Sequence, residues 1–258
     1  MNHDGISPGS MLHGQNDQRP SSPKFGTLYL IPTNLSEPFS STRILPADVI
    51  AVACGMNHFI AENAKSARAF LRGMGVTRPL IEISIIELDK HHQSTDLTAL
   101  LAPLLAGHDV GLVSEAGAPA VADPGALVVA AAHRAGISVR PLVGPSSILL
   151  ALMASGLNGQ SFAFHGYLPH DKQGRSRSIL ALEQESREKR MTQMFIETPY
   201  RNQSMLQDLV ATLAATTTLC VATDLTGNNE CIVSQKISHW RSSASGVEKL
   251  PAMFLFLA

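Results

Sequence analysis

Cysteine is scarce in this chain. Cys54, Cys220 and Cys231 are the only three in 258 residues, and none forms a Cys-x-x-Cys pair. An odd, widely spaced set excludes a disulfide framework and points to a reducing compartment, so a cytoplasmic location is expected. Aromatic residues make up 5% of the chain, which leaves few side chains for stacking on single-stranded nucleic acid. Charged residues make up 16% and the formal net charge is −1, so no broad electrostatic grip on nucleic acid is evident, although a local basic patch stays open. The longest wholly apolar runs, such as residues 126–132 and 148–154, are seven residues long. A membrane span needs about 20, so no membrane partner is expected. Residues 1–24 have no apolar block behind a basic region, and no signal peptide is expected there. Several motifs are missing as well. There is no G-x-G-x-x-G and no Gly-Lys dipeptide, which removes the common dinucleotide fingerprint and the P-loop lysine. Gly144-Pro145-Ser146-Ser147-Ile148 fails as a nucleophile elbow because it ends in Ile. The ten histidines contain no H-x-x-x-H, so no metal site is expected.

What is present is a globular composition. Apolar residues reach 45% and the mean hydropathy is +0.09. A chain of this length forms one large domain or two small ones, and buries roughly 70–75% of its unfolded surface. Residues 1–25 are rich in Ser, Pro, Gly, Asn and Gln and read as a disordered extension. The folded region starts near Gly26. Residues 28–31, 48–53, 80–88, 110–113 and 139–142 read as strands, and residues 57–73, 97–105, 127–133 and 148–154 as helices. Thr95 or Asp96 would cap the helix at 97 and Gly107 would stop it. Such alternation argues for an α/β fold with parallel strands, whose binding loops lie at the carboxyl ends. The later part is less regular. Residues 162–164, 194–196, 219–222, 231–233, 236–239 and 253–257 read as strands, the last three of them expected to be antiparallel because their connections are short. Residues 175–190 form a charged helix, and Thr198 with Pro199 would open another.

Nine of the 19 glycines fall between Gly107 and Gly166, so the turn chemistry is concentrated. Two small-residue loops there each follow a strand: residues 114–125 and residues 144–147. Their backbone groups can approach a ligand closely, though ordinary tight connections have the same composition.

Six segments together carry a family resemblance. They are Gly26-Thr27-Leu28-Tyr29-Leu30-Ile31-Pro32-Thr33, then Leu112-Val113-Ser114-Glu115-Ala116-Gly117-Ala118-Pro119 continuing through Ala122-Asp123-Pro124-Gly125, then Val139-Arg140-Pro141-Leu142-Val143-Gly144-Pro145-Ser146. Ala154-Ser155-Gly156-Leu157, Phe162-Ala163-Phe164-His165-Gly166-Tyr167-Leu168-Pro169 and Phe195-Ile196-Glu197-Thr198-Pro199-Tyr200-Arg201 complete the set. In this order and spacing the chain resembles the tetrapyrrole methylase superfamily, and within it the ribosomal RNA small-subunit methyltransferase I family. The resemblance implies two α/β domains, at residues 26–142 and 143–258, with S-adenosyl-L-methionine in the cleft between them, and a homodimer. It also implies cofactor contacts from Leu35, from Gly117, Ala118 and Val121, from Ser146 and Ser147, and from Tyr167 and Leu168, with residues 251–253 as a weaker candidate.

The chain departs from that family pattern in places. Its first loop runs Pro32-Thr33-Asn34-Leu35-Ser36-Glu37-Pro38 instead of Pro-Ile-Gly-Asn-Leu-Glu-Asp. Glu115 and Ala118 replace the usual Asp and Thr, and Glu197-Thr198-Pro199-Tyr200-Arg201 replaces Glu-Ser-Pro-His-Arg. The chain stops at Ala258, which implies that it lacks the extra C-terminal segment of the rRNA enzymes. A ribose hydroxyl acceptor needs a general base. Glu115 and Glu197 are the carboxylates nearest the matched motifs. Glu115 is otherwise a loop cap or ion-pair member, and Glu197 a partner of Arg201 one helical turn later. Arg201 is a candidate for holding phosphate or carboxylate, or else a structural ion pair. Residues 171–190 hold six basic and four acidic side chains. Lys172 and Arg175, with Arg177, are candidate contacts to RNA phosphate, or part of a solvated helix face. The expected function is S-adenosylmethionine-dependent 2′-O-methylation of ribosomal RNA. The alternatives are methylation of a tetrapyrrole or other small molecule, and a cofactor-binding module without turnover.

Overall fold

The computed structural model describes residues 25–36, 41–88, 97–242 and 246–258. The extension at residues 1–24 and the proposed helix cap at Thr95 or Asp96 lie outside the described residues. The first half alternates strand and helix. Strands β1 (Thr27–Ile31), β2 (His58–Ala61), β3 (Ser84–Glu87), β4 (Val110–Val113) and β5 (Ser138–Pro141) form one sheet in the order β3-β2-β4-β1-β5. Every pairing in it is parallel. Central β4 is buried at all four positions, as expected for a strand covered on both faces. Helices α1 (Ser41–Ile44), α2 (Ala47–Gly55), α3 (Ala64–Gly73), α4 (Leu97–Leu105) and α5 (Gly125–Arg134) connect these strands. Two apolar clusters lie on the sheet, one around Ile31, Phe59 and Leu71 and one around Leu28, Leu104 and Leu112.

The second half builds a mixed sheet. Helix α6 (Ser147–Ser155) leads to strands β6 (Phe162–Tyr167), β7 (Thr192–Glu197), β8 (Thr218–Thr223), β9 (Cys231–Lys236) and β10 (Ala252–Leu257). Their order is β6-β7-β10-β8-β9. Only β6–β7 is parallel; β10 runs antiparallel to both β7 and β8, and β9 antiparallel to β8. Helices α7 (Lys172–Lys189), α8 (Asn202–Thr212) and α9 (Ile237–Ser242) complete this half. Phe195, Phe254 and Phe256 are fully buried at its centre, with the first two rings stacked at a centroid distance of 5.6 Å.

Five local readings need correction. Residues 48–53 are helical, not a strand. Their β-branched residues suggest a strand, but Val49 and Ala53, four apart, both bury against the sheet and fix the helix. Residues 57–73 are not one helix. Strand β2 comes first, and Asn63 then caps α3 by accepting from the Lys65 and Ser66 amides at 2.9 and 3.1 Å. Residues 80–82 are a 3-10 turn preceding β3. Residues 237–239 belong to α9, because Ile237 and Trp240 share one buried helical face. Thr198 does not cap α8: its amide and hydroxyl both donate to Glu197 Oε1, and the helix starts only at Asn202.

Candidate functional site

Strands β4, β1 and β5 are neighbours, so the loops leaving their carboxyl ends are neighbours too. All three loops meet at Gly117. The Thr33 amide donates to the Gly117 carbonyl at 2.9 Å, and the Gly117 amide donates to the Asn34 carbonyl at 3.4 Å. Gly117 has φ +71°, a left-handed conformation that disfavours any side chain. A Cβ there would lie 2.9 Å from Leu35 Cδ2 and 3.7 Å from the Pro145 carbonyl oxygen. Gly144 packs directly on the Pro32 ring, with no room for a Cβ.

The loop after β4 is held tightly. Ala120 and Ala122 both adopt positive φ, 65° and 59°, at a cost of about 1–2 kcal/mol each. The Asp123 carboxylate compensates by accepting from the Ala120 amide at 2.9 Å and the Gly125 amide at 2.7 Å. Burial pushes the Asp123 carboxyl above its ordinary value, against the pull of those two amides.

These loops form one wall of a cavity of about 370 Å³. The other wall comes from the second sheet, through Phe164, Tyr167, Ile196, Glu197, Ala222 and Met253. Its volume lies within the range of small-molecule sites. A hydrogen bond from the Ser36 hydroxyl to Asp224 ties the first loop to the β8–β9 connection, next to Leu225, another lining residue. Among the described residues, the charged side chains lining the cavity are Glu62, Glu115, Asp123 and Glu197, and none is basic. The cavity therefore favours a cationic guest.

The two candidate carboxylates are held differently. Glu115 is exposed and accepts a hydrogen bond from the Ser66 hydroxyl of α3 at 2.7 Å. Glu197 is buried. Its Oε1 is taken by Thr198, and its Oε2 lies 3.0 Å from Arg201 Nη2.

Of the positions expected to hold a cofactor, Leu35, Gly117, Ala118, Val121, Ser146, Ser147 and Tyr167 line the cavity, as do Pro251, Ala252 and Met253. Leu168 does not. It is 4% exposed and belongs to the apolar core of the second sheet. Nor do the basic candidates Lys172, Arg175, Arg177 and Arg201 line it. Arg175 is buried: its guanidinium meets Asp208 Oδ2 at 2.5 Å and donates to the His170 and Pro169 carbonyls at 2.8 and 3.3 Å. A guanidinium so engaged has no face left for phosphate. Arg201 is likewise committed to Glu197, to the Pro169 carbonyl and to the His170 ring. Lys172 is exposed at the first position of α7, outside the cavity. Sequence reasoning missed Glu62 because β2 was merged into a helix; a strand ending at Ala61 puts Glu62 at a carboxyl end. Asp123 lies within the small-residue loop of residues 114–125, whose composition draws attention to its glycines and alanines before its carboxylate.

Residues 43–239 match the family model described as Tetrapyrrole (Corrin/Porphyrin) Methylases. The chain is 32% identical over 207 residues to the ribosomal RNA small subunit methyltransferase I of Escherichia coli O157:H7, covering 80% of this chain and 68% of that protein. It is 30% identical over 223 residues to the protein of that name from Xylella fastidiosa, covering 86% and 77% of the two chains. Among solved structures it is similar to a uroporphyrin-III C-methyltransferase from Thermus thermophilus, with a TM-score of 0.53 at 14% identity and coverage of 90% and 97%. That last likeness concerns the fold alone.

Proposed function

We propose, from the premise that the chain is a methyltransferase belonging to the tetrapyrrole (corrin/porphyrin) methylase family, that it uses S-adenosylmethionine to methylate a ribose 2′-hydroxyl of ribosomal RNA. The observation that carries this reading is the cavity itself: acidic, walled by both sheets, and lined by Gly117, where a Cβ would stand 2.9 Å from Leu35 Cδ2. Bound there, S-adenosylmethionine supplies an electrophilic methyl group on a sulfonium cation. The residues present fit such a guest. Gly117, Ala118 and Val121 leave room beside Leu35, while Ser146 and Ser147 bring the amino end of α6 to the cavity. The carboxylates of Glu62 and Glu115 offset positive charge on the guest. Tyr167 and Met253 line the opposite side.

Of the two carboxylates, Glu115 suits general-base work. It is exposed, and its one hydrogen bond, from Ser66, orients it without neutralising it. Glu197 shares its charge with Arg201 and acts as a positioning residue that fixes the turn at Thr198 and Pro199. Lys172 and Arg177, both exposed on α7, are the remaining candidates for an RNA phosphate contact. The names of the relatives support an RNA acceptor. We also propose a homodimer, supported by the exposure of Val143, Leu149 and Met153 on and before α6. A cytoplasmic location agrees with free thiols at Cys54, Cys220 and Cys231. Among the described residues, no helix is long and apolar enough to cross a membrane.

The test is transfer of tritiated methyl from S-adenosylmethionine to undermethylated small ribosomal subunits. Label recovered in alkali-resistant dinucleotides agrees with 2′-O-methylation. Label on an added tetrapyrrole and none on RNA reassigns the acceptor, and donor binding without any transfer marks a module that has lost turnover.

A further inference from the structure

The chain has three tyrosines; one lines the cavity, and a second directly follows Pro199, which also lines it. Tyr167 ends β6, lines the cavity and is 57% exposed. It pairs in register with Ile196 of β7. Tyr200 follows four residues after Ile196, in the turn whose Thr198 and Pro199 also line the cavity, and it is 87% exposed. An aromatic side chain left almost wholly in water gains nothing from burial, yet the turn that carries it is rigid. The Arg201 amide donates to the Thr198 carbonyl at 2.9 Å, and the Arg201 guanidinium holds both Glu197 and His170. The His170 contact also brings the start of α7 beside this turn. There Lys172 is exposed, while the Asp171 carboxylate is engaged by the Gly174 amide at 2.6 Å.

We infer that Tyr200 is a stacking platform for a base of single-stranded RNA next to the acceptor nucleotide, with Lys172 taking a backbone phosphate. This rests on the reading that the acceptor is RNA. An exposed ring on a fixed turn gives a flat π-face at little entropic cost, and a single neighbouring ammonium suits one phosphate. Aromatics are few in this chain, but these two are concentrated where a nucleotide would enter.

The test measures binding of a fluorescein-labelled single-stranded octaribonucleotide by anisotropy, with S-adenosylhomocysteine saturating. Tyr200→Ala should raise the Kd for this probe roughly five- to a hundredfold, from about 1–3 kcal/mol per stacked base at 1.4 kcal/mol per tenfold. The Kd for S-adenosylhomocysteine should not change. Tyr200→Trp should restore probe affinity, and its exposed indole emission should be quenched on RNA addition, while Trp240, 6% exposed, reports only the fold. Wild-type affinity in Tyr200→Ala overturns the inference, as does failure of the wild-type protein to bind the probe. A changed sedimentation coefficient in Tyr200→Ala with unchanged RNA affinity also overturns it and makes Tyr200 a contact between copies. Failed methyl transfer with the probe still bound through Tyr200 overturns the proposed reaction and leaves this site standing.

Discussion

Gly117→Val perturbs the cavity at the point where its three loops meet. The left-handed φ of +71° costs a non-glycine residue about 1–2 kcal/mol, and a β-branched one lies at the upper end. The new Cβ would stand 2.9 Å from Leu35 Cδ2, roughly 0.6 Å inside the closest ordinary carbon–carbon contact of about 3.5 Å. The Leu35 methyl is the flexible end of a half-buried side chain, so it yields toward the cavity it lines. Overpacking adds about 1 kcal/mol. The sum, about 2–3 kcal/mol, lowers the melting temperature by roughly 4–12 °C for a chain of this size. The protein stays folded at 25 °C, but two added methyl groups and a displaced leucine occupy the guest's space. Calorimetric titration with S-adenosylhomocysteine should show a Kd at least about tenfold weaker, equivalent to 1.4 kcal/mol. Gly117→Ala, with the same backbone strain and less bulk, should fall between. A folded valine variant that binds S-adenosylhomocysteine as tightly as the wild type would show that the three loops do not form the donor site.

Other expectations follow from individual residues. Glu115→Gln should lower the turnover number by about 10²–10⁴ while leaving S-adenosylhomocysteine affinity nearly intact, as single-turnover transfer would reveal; an unchanged rate removes Glu115 as base. Arg175→Met strands the buried Asp208 carboxylate and should cost about 3–5 kcal/mol in urea denaturation, with much of the loss recovered in Arg175→Met/Asp208→Leu. Because burial raises the Asp123 carboxyl, the folded state holds that proton more tightly than the unfolded chain does. Its contribution to stability is present at acid pH and is lost as pH rises through the raised value. Asp123→Asn should therefore gain in melting temperature relative to wild type as pH rises from 4 toward neutrality, and a constant difference would contradict the assignment. Burial pushes the Cys220 thiol up to about 11, so in thiol titration at mild alkaline pH exposed Cys231 should react first and Cys220 only on unfolding.

The loops of the first half were legible because glycine and small residues punctuate strands of plain apolar character, as at Val110–Val113. Those loops carry most of the cavity's first wall, and the matching segments place Tyr167 and Glu197 in the second. What stayed hidden depended on partners distant in sequence. Val49 and Ala53 look like strand residues until the sheet gives them a common face to bury. Arg175 resembles a phosphate ligand until Asp208, 33 residues later, takes its guanidinium. Leu168 follows a cavity residue directly, but it lies past the end of β6 and packs into the apolar core of the second sheet. Thr198 has the chemistry of a helix cap, and the neighbouring Glu197 captures both of its donors.

The most direct test is a crystal structure of the protein grown with S-adenosylhomocysteine. Density for the ligand should lie between Gly117 and Met253, in contact with Leu35 and Ser146, with Glu115 facing the position from which the methyl group leaves. Density outside that space, or a cavity closed by its own side chains while the ligand binds elsewhere, would contradict the account.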